Sequence, residues 1–199
     1  SGAGRSSGSG RSGVATGSQR LGVPARAAAA AAVSADLELV DLAAEIAREA
    51  GELARRRRDE GVHLAATKSS LADIVTDADR EVEELIRTRL REARPGDGFL
   101  GEESDADPGV TGITWVVDPI DGTVNYAYGI PAYCVSIAAV RGSADPQDWD
   151  ALAAAVFAPV VGELFTASRG GGARLGERRL SVTTETPAGA LLATGFGYD

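Results

Sequence analysis

An α+β fold, with a largely antiparallel sheet packed against two N-terminal helices, is the class this sequence predicts. Three observations carry that expectation. Apolar residues recur at helical spacing in two stretches between Ser34 and Ala93, they shift to short runs separated by Gly, Pro and Asp after Gly98, and several of those runs are joined by turns short enough to be hairpins. No internal repeat interrupts the pattern.

Residues 1–33 read as a disordered tail, because Ser1 to Arg26 is dominated by Gly, Ser and Arg and Ala27 to Ala32 is too short and weakly apolar for a secretion signal. A folded domain is expected over residues 34–199. Its first helix starts near Ser34, capped by Ser34 or Asp36, and turns Leu39, Leu42, Ala43, Ile46, Ala50 and Leu53 to one face. Arg55 to Arg58 are expected to close it, where positive charge complements the helix dipole. The second helix is expected over Ala78 to Ala93, with Val82, Leu85, Ile86 and Leu90 inward and Pro95-Gly96 as the stop. Strands are expected at Phe99-Leu100, Ile113 to Val117, Tyr133 to Val140, Leu152 to Ala158 and Glu163 to Ala167. Val160-Val161-Gly162 and Leu175-Gly176-Glu177 read as hairpin turns, and Gly170 to Gly172 as a loop. Ala190 to Thr194 reads as one more buried strand, with nothing after it to supply a neighbour.

Composition narrows the chemistry. One Cys and one His exclude a disulfide framework and a structural zinc site, so any metal would be held by oxygen. No apolar run approaches the ~20 residues of a membrane helix. Residues 1–35 hold four arginines and no acid, which leaves sixteen bases against twenty-nine acids in the rest of the chain. Such an acidic body favours a divalent cation over nucleic acid as a partner. His63, the sole histidine, follows no nucleophile elbow, Lys68 lacks a glycine-rich approach, and Gly195-x-Gly197 is too short for a dinucleotide fingerprint.

The informative stretch runs from Trp115 to Tyr126, WVVDPIDGTVNY. An apolar strand delivers Asp118, Pro119 fixes the backbone, and Asp121 returns three residues later, where a tight turn is expected to bring both carboxylates to one point. Two like charges held together call for a cation, and Mg²⁺ takes hard oxygen ligands that include backbone carbonyls such as that of Ile120. Gly122 and Thr123 then open a short helix whose amides suit phosphate. A second acidic group, Gly101-Glu102-Glu103-Ser104, follows an apolar strand, and alternation allows one of its glutamates to join the cluster. A third, Asp73-Ile74-Val75-Thr76-Asp77-Ala78-Asp79, lies at the expected start of the second helix, where Asp77 or Asp79 reads first as a cap.

Taken in order, Lys68-Ser69-Ser70-x-x-Asp73-x-Val75-Thr76-x-x-Asp79, Gly101 to Ser104 and Trp115 to Tyr126 resemble the motifs of the inositol monophosphatase family of lithium-sensitive, Mg²⁺-dependent sugar-phosphate phosphatases. The resemblance covers Ser34 to Asp199 and implies that family's layered sandwich without its C-terminal α/β layers. It implies Glu102, Asp118 and the Ile120 carbonyl on one Mg²⁺ and Asp118 with Asp121 on a second, with two or three ions in all and Mn²⁺ as a substitute. It also implies that Asp79 and Thr123 activate the attacking water, with Glu102 counted among the catalytic residues. Gly122, Thr123 and Asp121 would meet the phosphate. A further acidic ligand, in a Trp-Asp motif, is expected beyond residue 199. The function so implied is hydrolysis of a small phosphate ester, inositol monophosphate first, by a cytoplasmic homodimer with no nucleic-acid or membrane partner. Relatives act on histidinol phosphate, fructose bisphosphate and phosphoadenosine phosphate. A non-catalytic interaction protein that keeps the metal loop is the alternative from another class.

Overall fold

A computed structural model describes residues 23–65, 71–142, 146–184 and 187–189. Lys68 to Ser70, the strand expected at Ala190 to Thr194, the Gly195 turn and most of the expected tail lie outside the described residues.

The element order is α1 (Val23–Ala65), α2 (Leu71–Ala93), β1 (Gly98–Leu100), β2 (Ile113–Asp121), α3 (Thr123–Tyr128), β3 (Cys134–Arg141), β4 (Asp150–Ala158), β5 (Glu163–Ser168), β6 (Gly172–Leu175) and β7 (Arg178–Leu180), with short 3-10 turns at Pro146–Asp148 and Pro187–Gly189. Among the described residues, seven strands form one sheet in sequence order. β1 and β2 are parallel and every other pair is antiparallel, as hairpin connections demand. Both helices lie on one face of the sheet, α1 over β3, β4 and β5 and α2 over β2. The expected class therefore holds.

The core forms where the two helical stripes meet the inward residues of the strands. Leu39, Ala43, Ile46, Ala50 and Leu53 of α1 and Val82, Ile86 and Leu90 of α2 are buried against Trp115, Val117, Val135, Ile137, Leu152, Ala155 and Phe157. Small residues let α1 approach closely, and a β-carbon built on Gly51 would lie 2.5 Å from Phe157 Cδ1.

Both helices are longer than expected. α1 begins at Val23, because Ala27 to Ala32 is the strongest helix-forming run in the chain, so Ser34 and Asp36 lie inside the helix and cap nothing. Asp36 is buried and instead pairs with Arg169. Arg55 to Arg58 do not close α1, which runs on to Ala65, and dipole effects fade beyond the last turn. Arg57 binds Glu81 and so ties α1 to α2, while Arg58 Nε donates to the Tyr126 carbonyl at 2.6 Å. α2 begins at Leu71, which places Asp77 and Asp79 two turns inside it, where neither is a cap.

Candidate metal centre

Asp118 and Asp121 meet through a bulge rather than a tight turn. β2 continues through Pro119 to Asp121, and in a regular strand residues three apart point to opposite faces. The register prevents this, because Asp118 pairs with Ser136 and Asp121 with Cys134, so three residues on β2 span two on β3. The extra residue returns Asp121 to the face that carries Asp118. Strand-pattern reading missed the bulge, although Pro119, which has no amide to donate, was the signal for it.

The segment after Asp121 is pinned from several sides. Gly122 has φ 93°, and a β-carbon there would lie 2.9 Å from the Ala132 carbonyl, so the position requires glycine. The Thr123 hydroxyl donates to the Ile120 carbonyl at 3.0 Å, Asn125 Nδ2 donates to the Ala132 carbonyl at 2.8 Å, and Tyr126 OH reaches the Ala54 carbonyl of α1 at 3.0 Å. The Tyr126 ring meets Tyr133 edge to face at 5.0 Å.

Four acidic side chains, from α2, from β2 and from the loop after β1, lie beside this segment. Asp79 projects from α2 and is 5% exposed. Burial pushes its carboxyl up to about 7, helped by Glu103, Glu102 and Asp118. Asp118 is also pushed up to about 7, first by burial, then by the neighbouring Glu102 and Asp121 carboxylates, while the Ile120 amide works against the rise. Glu102 is thus a near neighbour of Asp118. Asp121 is exposed at the rim and accepts a weak bond from Cys134, whose thiol burial pushes up to about 12. The side chains meet in pairs rather than as a closed cage, and no group of three or more His, Cys, Asp or Glu stands ready to ligate a metal among the described residues.

One atom tests whether a cation suits this place. Asp118 Oδ1 is buried and has no hydrogen-bond partner, which is a costly arrangement for a carboxylate oxygen unless positive charge offsets it. With hard oxygen donors and mutual repulsion around it, the set fits Mg²⁺ or Mn²⁺. Glu102, Asp118, Asp121 and the Ile120 carbonyl could supply the donors, the carbonyl keeping a lone pair beyond the one Thr123 occupies.

Sequence reasoning missed Glu83. It lies one helical turn after Asp79, is 3% exposed, and its carboxylate accepts from the Glu103 amide at 2.8 Å and from the Ser104 hydroxyl. The signal was the spacing Asp79, Glu83, Arg87, a polar stripe beside the apolar face of α2.

A mostly antiparallel sheet backed on one face by two helices, with acidic side chains near the end of β2, defines the class as an α+β architecture. The family model of the inositol monophosphatase family matches residues 36–199, and the chain belongs to that family. It is 39% identical over 159 residues to an inositol-1-monophosphatase of Rhizobium meliloti, covering 79% of this chain and 58% of the relative. It is 41% identical over 158 residues to a protein of Xylella fastidiosa named Nus factor SuhB, covering 79% and 55%. Among solved structures, extragenic suppressor protein suhB from Bartonella henselae matches with TM-score 0.62 at 34% identity, over 74% of this chain and 55% of that one. Inositol monophosphatase II from Staphylococcus aureus matches with TM-score 0.63 at 27% identity, over 75% and 54%. The chain spans a little over half the length of the curated relatives it matches.

Proposed function

We propose that this protein is a divalent-cation-dependent phosphomonoesterase acting on a small sugar or polyol phosphate, with inositol monophosphate as the first substrate to test. The observation that carries the reading is the orphaned, buried Asp118 Oδ1 beside Glu102 and Asp121. Glu102, Asp118, Asp121 and the Ile120 carbonyl would hold two or three Mg²⁺ ions, or Mn²⁺ in their place. When bound, such ions supply positive charge against the phosphoryl and leaving oxygens and ease the deprotonation of water.

The residues of the chain do the rest. The Thr123 hydroxyl spends its proton on the Ile120 carbonyl, so its free lone pairs accept from a water and turn that water's oxygen toward phosphorus. Asp79, buried beside Glu102 and Asp118, accepts the proton the water gives up. The amides of Gly122 and Thr123 face the phosphoryl oxygens in this reading, and the Tyr126 and Asn125 anchors hold them at a fixed distance from Asp121. A homodimer in the cytoplasm is the working form we infer. The described helices include none long and apolar enough to cross a membrane.

The test is phosphate release by the protein as its gene encodes it, on inositol monophosphate, histidinol phosphate, fructose bisphosphate and phosphoadenosine phosphate. Asp118→Asn is expected to lower Mg²⁺-dependent turnover by about a hundredfold or more, ~3 kcal/mol of barrier. Turnover near the wild-type level rejects the assignment. A second reading, a docking role with no catalysis, is favoured by the relative named Nus factor. It predicts a folded protein without turnover on any of these esters.

A further inference from the structure

We propose that Glu83 is a positioning residue whose buried carboxylate holds the Gly101–Ser104 loop so that Glu102 is presented to Asp118. The proposal rests on the reading of the site as a cation centre. Three observations converge on Glu83. Its two oxygens take the Glu103 amide and the Ser104 hydroxyl, so the backbone on one side of Glu102 is tied to α2. A β-carbon on Gly101 would lie 2.3 Å from Glu83 Oε2 and 2.5 Å from Cδ, so a side chain on the other side of Glu102 would have to push the same carboxylate aside. One turn further along α2, Arg87 donates to Ser104 Oγ and to the Asp105 carbonyl at 2.9 Å, with its guanidinium 4.2 Å from the centre of the Phe99 ring.

Asp79, Glu83 and Arg87 thus form one stripe on a rigid helix, facing the cluster, the loop and the loop's far end in turn. Glu102 sits on a segment with no strand pairing of its own, so its direction is set by what grips the residues around it. Groups that orient ligands in this way change metal affinity by about 10–100-fold when removed.

The test is calorimetric titration of the full protein with Mn²⁺. Glu83→Ala and Glu83→Asp are expected to weaken Mn²⁺ binding about tenfold or more. Glu83→Gln is expected to restore it to within about threefold, since its amide can still accept from Glu103 N–H and donate to Ser104. Gly101→Ala should weaken binding in the wild type and add nothing on top of Glu83→Ala, because both act through one contact. Hydrogen exchange at the Glu103 amide is expected to quicken in Glu83→Ala and not in Glu83→Gln. Unchanged Mn²⁺ affinity in Glu83→Ala, with Glu102→Gln losing it, overturns this inference and leaves the reading of the site standing. A wild type with no saturable Mn²⁺ binding overturns both. Should Glu83→Ala not fold, Glu83→Asp and Gly101→Ala decide the matter.

Discussion

Asp97 and Asp118 stand near opposite ends of the same strand β2, both beside buried aromatic or apolar residues, and their surroundings are opposite in kind. The Asp97 side chain is 2% exposed and accepts from Arg94 Nε at 2.9 Å, Thr111 Oγ1 at 2.6 Å and Trp115 Nε1 at 3.0 Å. Asp118 has a buried oxygen with no donor and faces Glu102 and Asp121. A fold that supplies three donors to one buried carboxylate and leaves another short, among like charges, separates an acid that holds structure from one that holds a ligand. Burial alone does not distinguish them. The donor count does.

Substitutions that break this comparison should act in opposite directions. Asp97→Ala strands the Trp115 and Thr111 donors and is expected to cost about 2–3 kcal/mol in urea unfolding. Thr111→Val removes one of the donors and should cost about 1 kcal/mol by the same measurement. Asp118→Asn, with divalent ions chelated, should instead stabilise the fold by about 1 kcal/mol, a modest gain because Asp118 is half-buried and solvent screens it. A loss of stability at Asp118 as large as at Asp97 would erase the distinction.

The smallest effect is a pH slope. Asp79 and Asp118 titrate near 7 in the fold, against an ordinary 3.8. Between those values the folded chain binds more protons than the unfolded one, so this contribution to stability is fully present below about 4 and is lost as pH rises through about 7. Chelated protein should therefore lose stability from pH 5 to pH 8, and Asp118→Asn should flatten part of that slope.

The class, both helical stripes and five of the strands were legible because period and turn chemistry act locally: Val82 and Ile86 announce an inward face, and Val161-Gly162 announces a hairpin. Helix ends were less so. The Ala27 to Ala32 run has too little apolar character to read as a core element, yet its backbone propensity continues α1, and Asp79 looks like a cap although α2 already begins at Leu71. The carboxylate motifs themselves were visible as residues. What brings Asp118 and Asp121 to one face is a bulge set by pairing with β3, and what grips the loop after Glu102 is Glu83, twenty residues before Glu103. Both are long-range facts that no local window contains.

The central claim is that Glu102, Asp118, Asp121 and the Ile120 carbonyl, with Asp79 beside them, form an oxygen site for a divalent ion. Calorimetric titration of Mn²⁺ at pH 7, repeated in buffers of different ionisation enthalpy, tests it most directly, because an ion entering this cluster must displace protons held by Asp79 and Asp118. Saturable binding that releases protons, and that Asp118→Asn removes, is the expected result. Binding without proton release, or binding that Asp118→Asn leaves intact, would contradict it.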